Sequence, residues 1–376
     1  MDDDDVPSQL SGTNSSGDGG RAPWDVGESG AYAAVRGVMT SAYALIVLVG
    51  ALGNGTLLKI LASAGAMRSA PNIFIGSLAA GDLLLLVTCV PADAFRFFSD
   101  RWMLGEAACK LLPAVQLTSV GVSVFTLTAL SADRYKAIVK PMDMRTSSAL
   151  LWTCAKAGAI WLLSVLLAIP EAVFSQVVAM QGGENGTFLN CVPYPLSERT
   201  HPKVHAAALF LVYFLLPLAV ISVYYYHIAR TLMRSARDMP GEVSEHTKRQ
   251  METRKRLAKT VLVLVALFAA CWLPNHLLYL YRSFRYQRTD ESLAHLLLTL
   301  LARILSFSSS CVNPLALYLL SDSFRRHFQS QLRCGGGGGG GGGRPDRQAS
   351  YLNSTSHIRL TSVRKAAATG ANRQEA

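Results

Sequence analysis

The stretch LLLTLLARILSFSSSCVNP, residues Leu296 to Pro314, is an apolar run of helix length with an arginine, Arg303, near its middle. On the N-terminal side of Arg303 its neighbours are apolar apart from Thr299. A guanidinium keeps its charge in a protein, and a charge inside a hydrocarbon layer is expensive. Such a residue needs a polar interior to face.

The composition says which kind of interior. Of the 376 residues, 50% are apolar and 16% charged, whereas a soluble domain carries about 25% charge. Mean hydropathy is +0.26. A bilayer is crossed by roughly 20 apolar residues, and seven runs meet that length: 33–62, 71–97, 107–139, 149–173, 203–237, 248–284 and 292–319. Pro91, Pro113, Pro217, Pro274 and Pro314 fall within them, which membrane helices tolerate because neighbours re-satisfy the freed backbone groups. The pattern predicts an all-α membrane protein, a seven-transmembrane helix bundle (33–319) followed by a short cytoplasmic amphipathic eighth helix (320–334).

The net charge of +11 then reads as topology and not as nucleic-acid binding. Arg68, then Lys136, Lys140 and Arg145, then Arg230 to Lys259 cluster between alternate spans, and the positive-inside rule puts those connections in the cytoplasm. The N-terminus is expected outside and the tail inside, in the plasma membrane. Residues 1–30 lack the apolar core of a signal peptide, so the first span is expected to act as its own insertion signal. Residues 1–32 are expected to form a disordered extracellular N-terminus and 335–376 a disordered cytoplasmic tail. Asn14 (N-S-S) and Asn185 (N-G-T) are candidate glycan acceptors outside, while Asn54 lies within span one. Cys89, Cys154, Cys271 and Cys311 lie within spans and read as small buried hydrophobes. Cys109 and Cys191 are the candidate extracellular pair for a disulfide.

Helical spacing sorts the polar residues onto faces. Asp82 and Asp93 align in span two; Gln116, Ser123 and Arg134 in span three; Trp272, Asn275, Tyr279 and Arg282 in span six; Arg303, Ser306, Ser310 and Asn313 in span seven. Four helices each offering a polar stripe predict an interior that is wide and wet at its outer end. Asp82, with Ser123, Ser309, Ser310 and Asn313, offers oxygen ligands for a small hard cation such as Na⁺, the one cofactor expected. Asp93 and Glu171 are the two candidate counter-charges for Arg303. The chain lacks HExxH, a nucleophile elbow and a P-loop, which argues against an enzyme, and transporter-type internal repeats are not visible.

Several motifs, in order, resemble those of class A, rhodopsin-like G-protein-coupled receptors: Gly53-Asn54, L-A-A-G-D ending at Asp82, Asp133-Arg134-Tyr135, Trp161, Pro217, C-W-L-P at 271–274, and Asn313-Pro314. One departure is Tyr318, which stands one residue later than the family's tyrosine after N-P. Within the family, QLTSVGVSVFTLTALSADRYKAIVKPMDM, AIPEAVFS, METRKRLAKTVLVLVALF and CWLPNHLLYLYRSF are similar to bombesin-like peptide receptors. The resemblance implies an amidated neuropeptide agonist, a Gq/11-class heterotrimeric G protein with phospholipase C and calcium downstream, and receptor kinases and arrestin as partners. EHTKRQMETRKRLAK, ARILSF and LLSDSFRRHFQSQL imply a preference for neuromedin B over gastrin-releasing peptide.

The resemblance also implies roles. Positions matching Gln116, Pro193, Arg282 and Ala302 select ligand, and Asp93, Glu171, Asn275, Tyr279 and Arg303 join them on their own chemistry. Gln116 and Phe307 stand where amine receptors carry an aspartate and opsins a Schiff-base lysine, which argues against both small-ligand classes. Arg134 is expected to pair with Asp133 at rest, and Trp272 above Pro274 to act as the hinge. Phe324, Phe328 and Leu332 make one face of the eighth helix, against the membrane lipid, with Cys334 as a candidate palmitoylation site.

Overall fold

The computed structural model describes residues 23–63, 69–95, 102–140, 149–182, 186–195, 200–237, 245–285 and 292–334. Helices α1 (Pro23–Ser63), α2 (Ala70–Phe95), α3 (Gly105–Val139) and α4 (Ala149–Phe174) come first. A hairpin follows, β1 (Gln176–Gly182) with β2 (Gly186–Val192). Next come α5 (His201–Phe210), α6 (Leu216–Arg237), α7 (Glu245–Phe284), α8 (Leu293–Leu320) and α9 (Asp322–Cys334). A five-residue π-helical turn, Leu211–Leu215, joins α5 to α6 into one span. Among the described residues seven spans are long and apolar enough to cross a membrane. In hydrocarbon every backbone N–H and C=O must be met within the chain, which is why each apolar run is helical.

The helix ends fall within a few residues of the sequence expectation, with one correction. Residues 23–32, expected to be disordered, are the first turns of α1. Pro23 has a fixed φ suited to a first helical turn. The segment also extends a helix already nucleated by the span behind it, so it avoids the cost of starting one.

Helix α3 runs through the centre, with Val120, Val124, Leu127 and Leu130 buried against α2, α4, α6 and α7. Without a hydrophobic driving force in lipid, helices associate through close packing of small residues. Gly121 is such a point: a Cβ there would stand 2.9 Å from Ser164 Oγ. Gly53 does the same between α1 and α8, where a Cβ would meet Pro314 at 2.7 Å. The surface of the bundle is apolar, with Leu151, Leu162 and Leu298 exposed, as a lipid-facing wall requires. Cys154, expected to be buried, is on that exposed wall, because the buried side of α4 is taken by Thr153, Ala157 and Ser164.

The hairpin has no counterpart in the sequence expectation. Its strands pair antiparallel from Gln176↔Val192 to Gly182↔Gly186. Cys191 on β2 is disulfide-bonded to Cys109 near the start of α3, and the Trp102 N–H donates to Leu189 O at 2.8 Å. The hairpin is thus fastened to one end of the bundle. At the other end α9 turns off α8, with Phe324 buried in the core, Phe328 partly buried against it, and Arg325 and Arg326 exposed.

Candidate functional site

At the hairpin end, Arg303 Nη1 donates to Asp93 Oδ1 at 2.8 Å, and the Tyr43 hydroxyl donates to Asp93 Oδ2 at 2.7 Å. One carboxylate therefore joins α1, α2 and α8. Its partner Arg303 stays 31% exposed along its side chain, towards the interior. Of the two candidate counter-charges Asp93 takes the position, and Glu171 pairs instead with His205, Nε2 to Oε1 2.7 Å.

Two adjoining cavities open beside these residues. The upper, about 270 Å³, is lined by Pro113, Cys191, Pro193, Asn275, Tyr279, Arg282, Thr299 and Arg303, among others. The deeper, about 220 Å³, shares Pro113, Pro193, Asn275 and Tyr279 and adds Gln116, Glu171, Trp272 and His276. The polar stripes of α3, α7 and α8 therefore converge on one space. Arg282 donates to His295 Nε2 at 3.2 Å and to the Thr299 hydroxyl, which draws α7 and α8 together at the rim. Ala302, expected in this site, is instead buried behind the wall, because helical rotation turns it about 100° from Arg303. Asp93 likewise acts from behind, through Arg303.

Below the cavities is a narrow polar layer. Asn313 Nδ2 donates to Asp82 Oδ2 at 2.8 Å, with the buried Ser310 hydroxyl beside the carboxylate. Asn54 Nδ2 bridges Gly50 O (2.9 Å) and Ser310 O (2.8 Å), tying α1 to α8. Ser309 is turned elsewhere: it accepts from Trp272 Nε1 at 3.2 Å and donates to Ser306 O at 2.6 Å. Ser123 is buried on α3.

At the end opposite the hairpin, side chains cross-link α3, α6 and α7. Arg134 is buried and pairs with its neighbour Asp133. Arg254 Nη1 reaches across from α7 to Ala137 O at 2.9 Å, one of the last carbonyls of α3. The Tyr225 hydroxyl donates to Ala258 O at 2.8 Å, and Tyr135 packs on the Tyr224 ring with centroids 5.3 Å apart. Tyr318 lies against α9, its ring edge to Phe328 and its hydroxyl accepting from Gln329 Nε2 at 3.5 Å. The kink residues Pro274 and Pro314 lie inside α7 and α8.

Asn14 and Asn185 lie outside the described residues, as do the side chains of Leu332 and Cys334. Sequence reasoning missed Tyr43, His205 and His276. His205 carries the one faint signal, a second histidine four residues after His201 and so on the same face of α5. His276 is buried beside the Trp272 and Phe214 rings and lines the deeper cavity.

Residues 53–318 match the family model described as 7 transmembrane receptor (rhodopsin family). Among curated proteins the chain is 56% identical to a bombesin receptor of Bombina orientalis over 302 residues, covering 80% of this chain and 77% of that one. It is also 56% identical to bombesin receptor subtype-3 of Ovis aries over 294 residues, 78% of this chain and 74% of that one.

Proposed function

Because the chain belongs to the rhodopsin family of seven-transmembrane receptors, and within it to the bombesin-receptor group, we propose that it is a cell-surface receptor for amidated bombesin-like neuropeptides, neuromedin B preferred. It is a multi-pass plasma-membrane protein and not an enzyme. In this reading the hairpin end is extracellular and the Arg134 end cytoplasmic, as the basic connections require. Agonist binding engages a Gq/11 protein, phospholipase C and calcium release, and receptor kinases and arrestin act on the cytoplasmic face.

One observation carries the reading. The wall of the upper cavity presents Asn275, Arg282 and Arg303, and the deeper cavity adds Gln116. These groups are rich in N–H donors and suit the many carbonyl oxygens of a peptide and its terminal amide. Trp272, which lines the deeper cavity two residues before Pro274, is placed to pass ligand contact along α7. The test is a calcium dose–response in cells expressing the chain. Neuromedin B is expected to act at lower concentration than gastrin-releasing peptide; the reverse order would assign the gastrin-releasing-peptide-preferring reading, and silence to both would remove the peptide assignment.

The Na⁺ site belongs to the same proposal. A hard cation needs several oxygens, and Asp82 with the Ser310 hydroxyl fits that chemistry in a buried layer. Ser123 would complete the set from α3. Asn313 steadies the carboxylate, and Ser309 links the layer to Trp272. Bound there, the cation would supply positive charge to the Asp82 carboxylate. Replacing Asp82 by Asn is expected to abolish any dependence of agonist affinity on Na⁺, measured against an equal concentration of a large organic cation. Sodium sensitivity that survives would remove the site.

A further inference from the structure

His205 takes no part in the roles above, yet it stands between two residues of the cavity wall. Its Nε2 is 2.7 Å from Glu171 Oε1, and its Nδ1 is 2.8 Å from the Tyr279 hydroxyl. Glu171 and Tyr279 both line the deeper cavity, and Tyr279 the upper one as well. His205 lines neither. Its side chain is 11% exposed and sits behind the wall, with the rings of Tyr194, His201 and Tyr279 at about 6 Å. A single imidazole therefore ties α4, α5 and α7 together around the space where a ligand would sit.

The count of donors and acceptors gives this arrangement a direction. A neutral imidazole donates from one ring nitrogen and accepts at the other. A carboxylate only accepts, so Nε2 carries the proton and donates it to Glu171. In the neutral imidazole Nδ1 then accepts from Tyr279, which places the single hydroxyl proton in that bond and not in the cavity. Both wall residues are left facing the ligand with lone pairs. Arg282, one turn along α7 from Tyr279, and Arg303 on α8 carry guanidinium groups, which have donors alone. The lining thus holds acceptors at Glu171 and Tyr279 beside donors at Arg282 and Arg303, and one residue outside it fixes the acceptors.

We propose that His205, as the neutral imidazole, is a positioning residue that fixes Glu171 and Tyr279 as acceptors, so that these two groups read an N–H donor of the bound peptide. The proposal rests on the peptide-receptor reading. Without His205, the Glu171 carboxylate loses its partner in a buried site, and the Tyr279 hydroxyl is free to turn its proton into the cavity.

The test measures displacement of a labelled amidated bombesin-like peptide on membranes matched for receptor number. The variants are His205→Ala, His205→Gln and Tyr279→Phe, with the His205→Ala/Tyr279→Phe double substitution. The ligands are the parent peptide and a series methylated at one backbone nitrogen at a time. His205→Ala is expected to weaken binding of the parent peptide by about tenfold, as removal of one oriented polar interaction would. His205→Gln, which keeps a donor for Glu171, recovers part of that loss. The double variant loses less than the two singles combined. The decisive readout is on the ligand side: at least one N-methylation that weakens wild-type binding costs His205→Ala nothing further. A purely structural residue would lower affinity for every ligand in proportion, and proportional loss overturns the proposal. So does parent-peptide affinity unchanged in His205→Ala. If His205→Ala fails to reach the membrane, His205→Gln with the same methylated series decides in its place. A wild-type receptor that binds none of these peptides overturns the peptide reading and this inference with it, whereas wild-type binding with proportional loss overturns this inference alone.

Discussion

Two arginine–aspartate pairs sit at opposite ends of the bundle and are built in opposite ways. Arg134 and Asp133 are chain neighbours on the last turns of α3, a closed pair whose arginine is buried. Arg303 and Asp93 are 210 residues apart and meet at 2.8 Å between α8 and α2, beside open cavities. The same two functional groups do different work because of what surrounds them. The neighbouring pair keeps a buried arginine occupied. The distant pair, with Tyr43, links three helices and leaves the guanidinium partly exposed beside a cavity. A buried charge without a partner is costly, so each pair also fixes the conformation that supplies its partner.

Breaking the closed pair should have the largest effect. Arg134→Ala is expected to reduce calcium signalling by about a hundredfold, on the order of 3 kcal/mol for one charged interaction with the G protein, with peptide binding retained. Equal loss of binding and signalling would show that Arg134 only supports the fold. Breaking the open pair should act on binding first. Arg303→Ala is expected to weaken peptide affinity about thirtyfold, on the order of 2 kcal/mol after allowance for its partial exposure. Asp93→Ala should approach the same loss, and the double variant should lose little more, because the two act as a unit. Additive losses would dissolve the pair.

A smaller effect is expected where α7 meets α3. Arg254 meets one of the carbonyls that the end of α3 leaves unsatisfied, and a cation there is also favoured by the helix dipole. Arg254→Ala should raise agonist-independent inositol phosphate formation about fivefold, the shift given by roughly 1 kcal/mol of resting-state stabilisation. Basal signalling that stays flat would leave the charge with a topological role alone. The smallest effect sharpens the open pair: Tyr43→Phe removes one neutral hydrogen bond to Asp93 and should lower peptide affinity about threefold, for under about 1 kcal/mol. A loss as large as that of Arg303→Ala would make the tyrosine, and not the ion pair, the main support of the wall.

The closed pair was expected from the resemblance carried by Asp133-Arg134-Tyr135, whereas the residues alone narrowed the open pair to two carboxylates. Spacing put Arg303 on the face shared with Ser306, Ser310 and Asn313, which is where it stands. Spacing could not choose between Asp93 and Glu171, since both lie on other helices and the choice depends on how α2 and α4 rotate against α8. Glu171 went to His205, whose one signal in the sequence was His201 four residues before it. Ala302 shows the same limit from the other side: its place beside Arg303 in the chain put it about 100° away around the helix and behind the wall.

What the sequence determined by itself was everything governed by the solvent and by short range. Seven apolar runs in a chain poor in charge must be helices, because lipid offers the backbone no partners. The same runs, with their prolines and the basic connections between alternate spans, set the order of the elements. The hairpin between α4 and α5, the carboxylate that meets Arg303 and the placing of His205 between Glu171 and Tyr279 were decided only by the tertiary structure. Each depends on the rotation and depth of one helix against another. Those are fixed by close approaches such as Gly121 on Ser164 and Gly53 on Pro314, and by the disulfide that carries Cys191 over the mouth of the cavity.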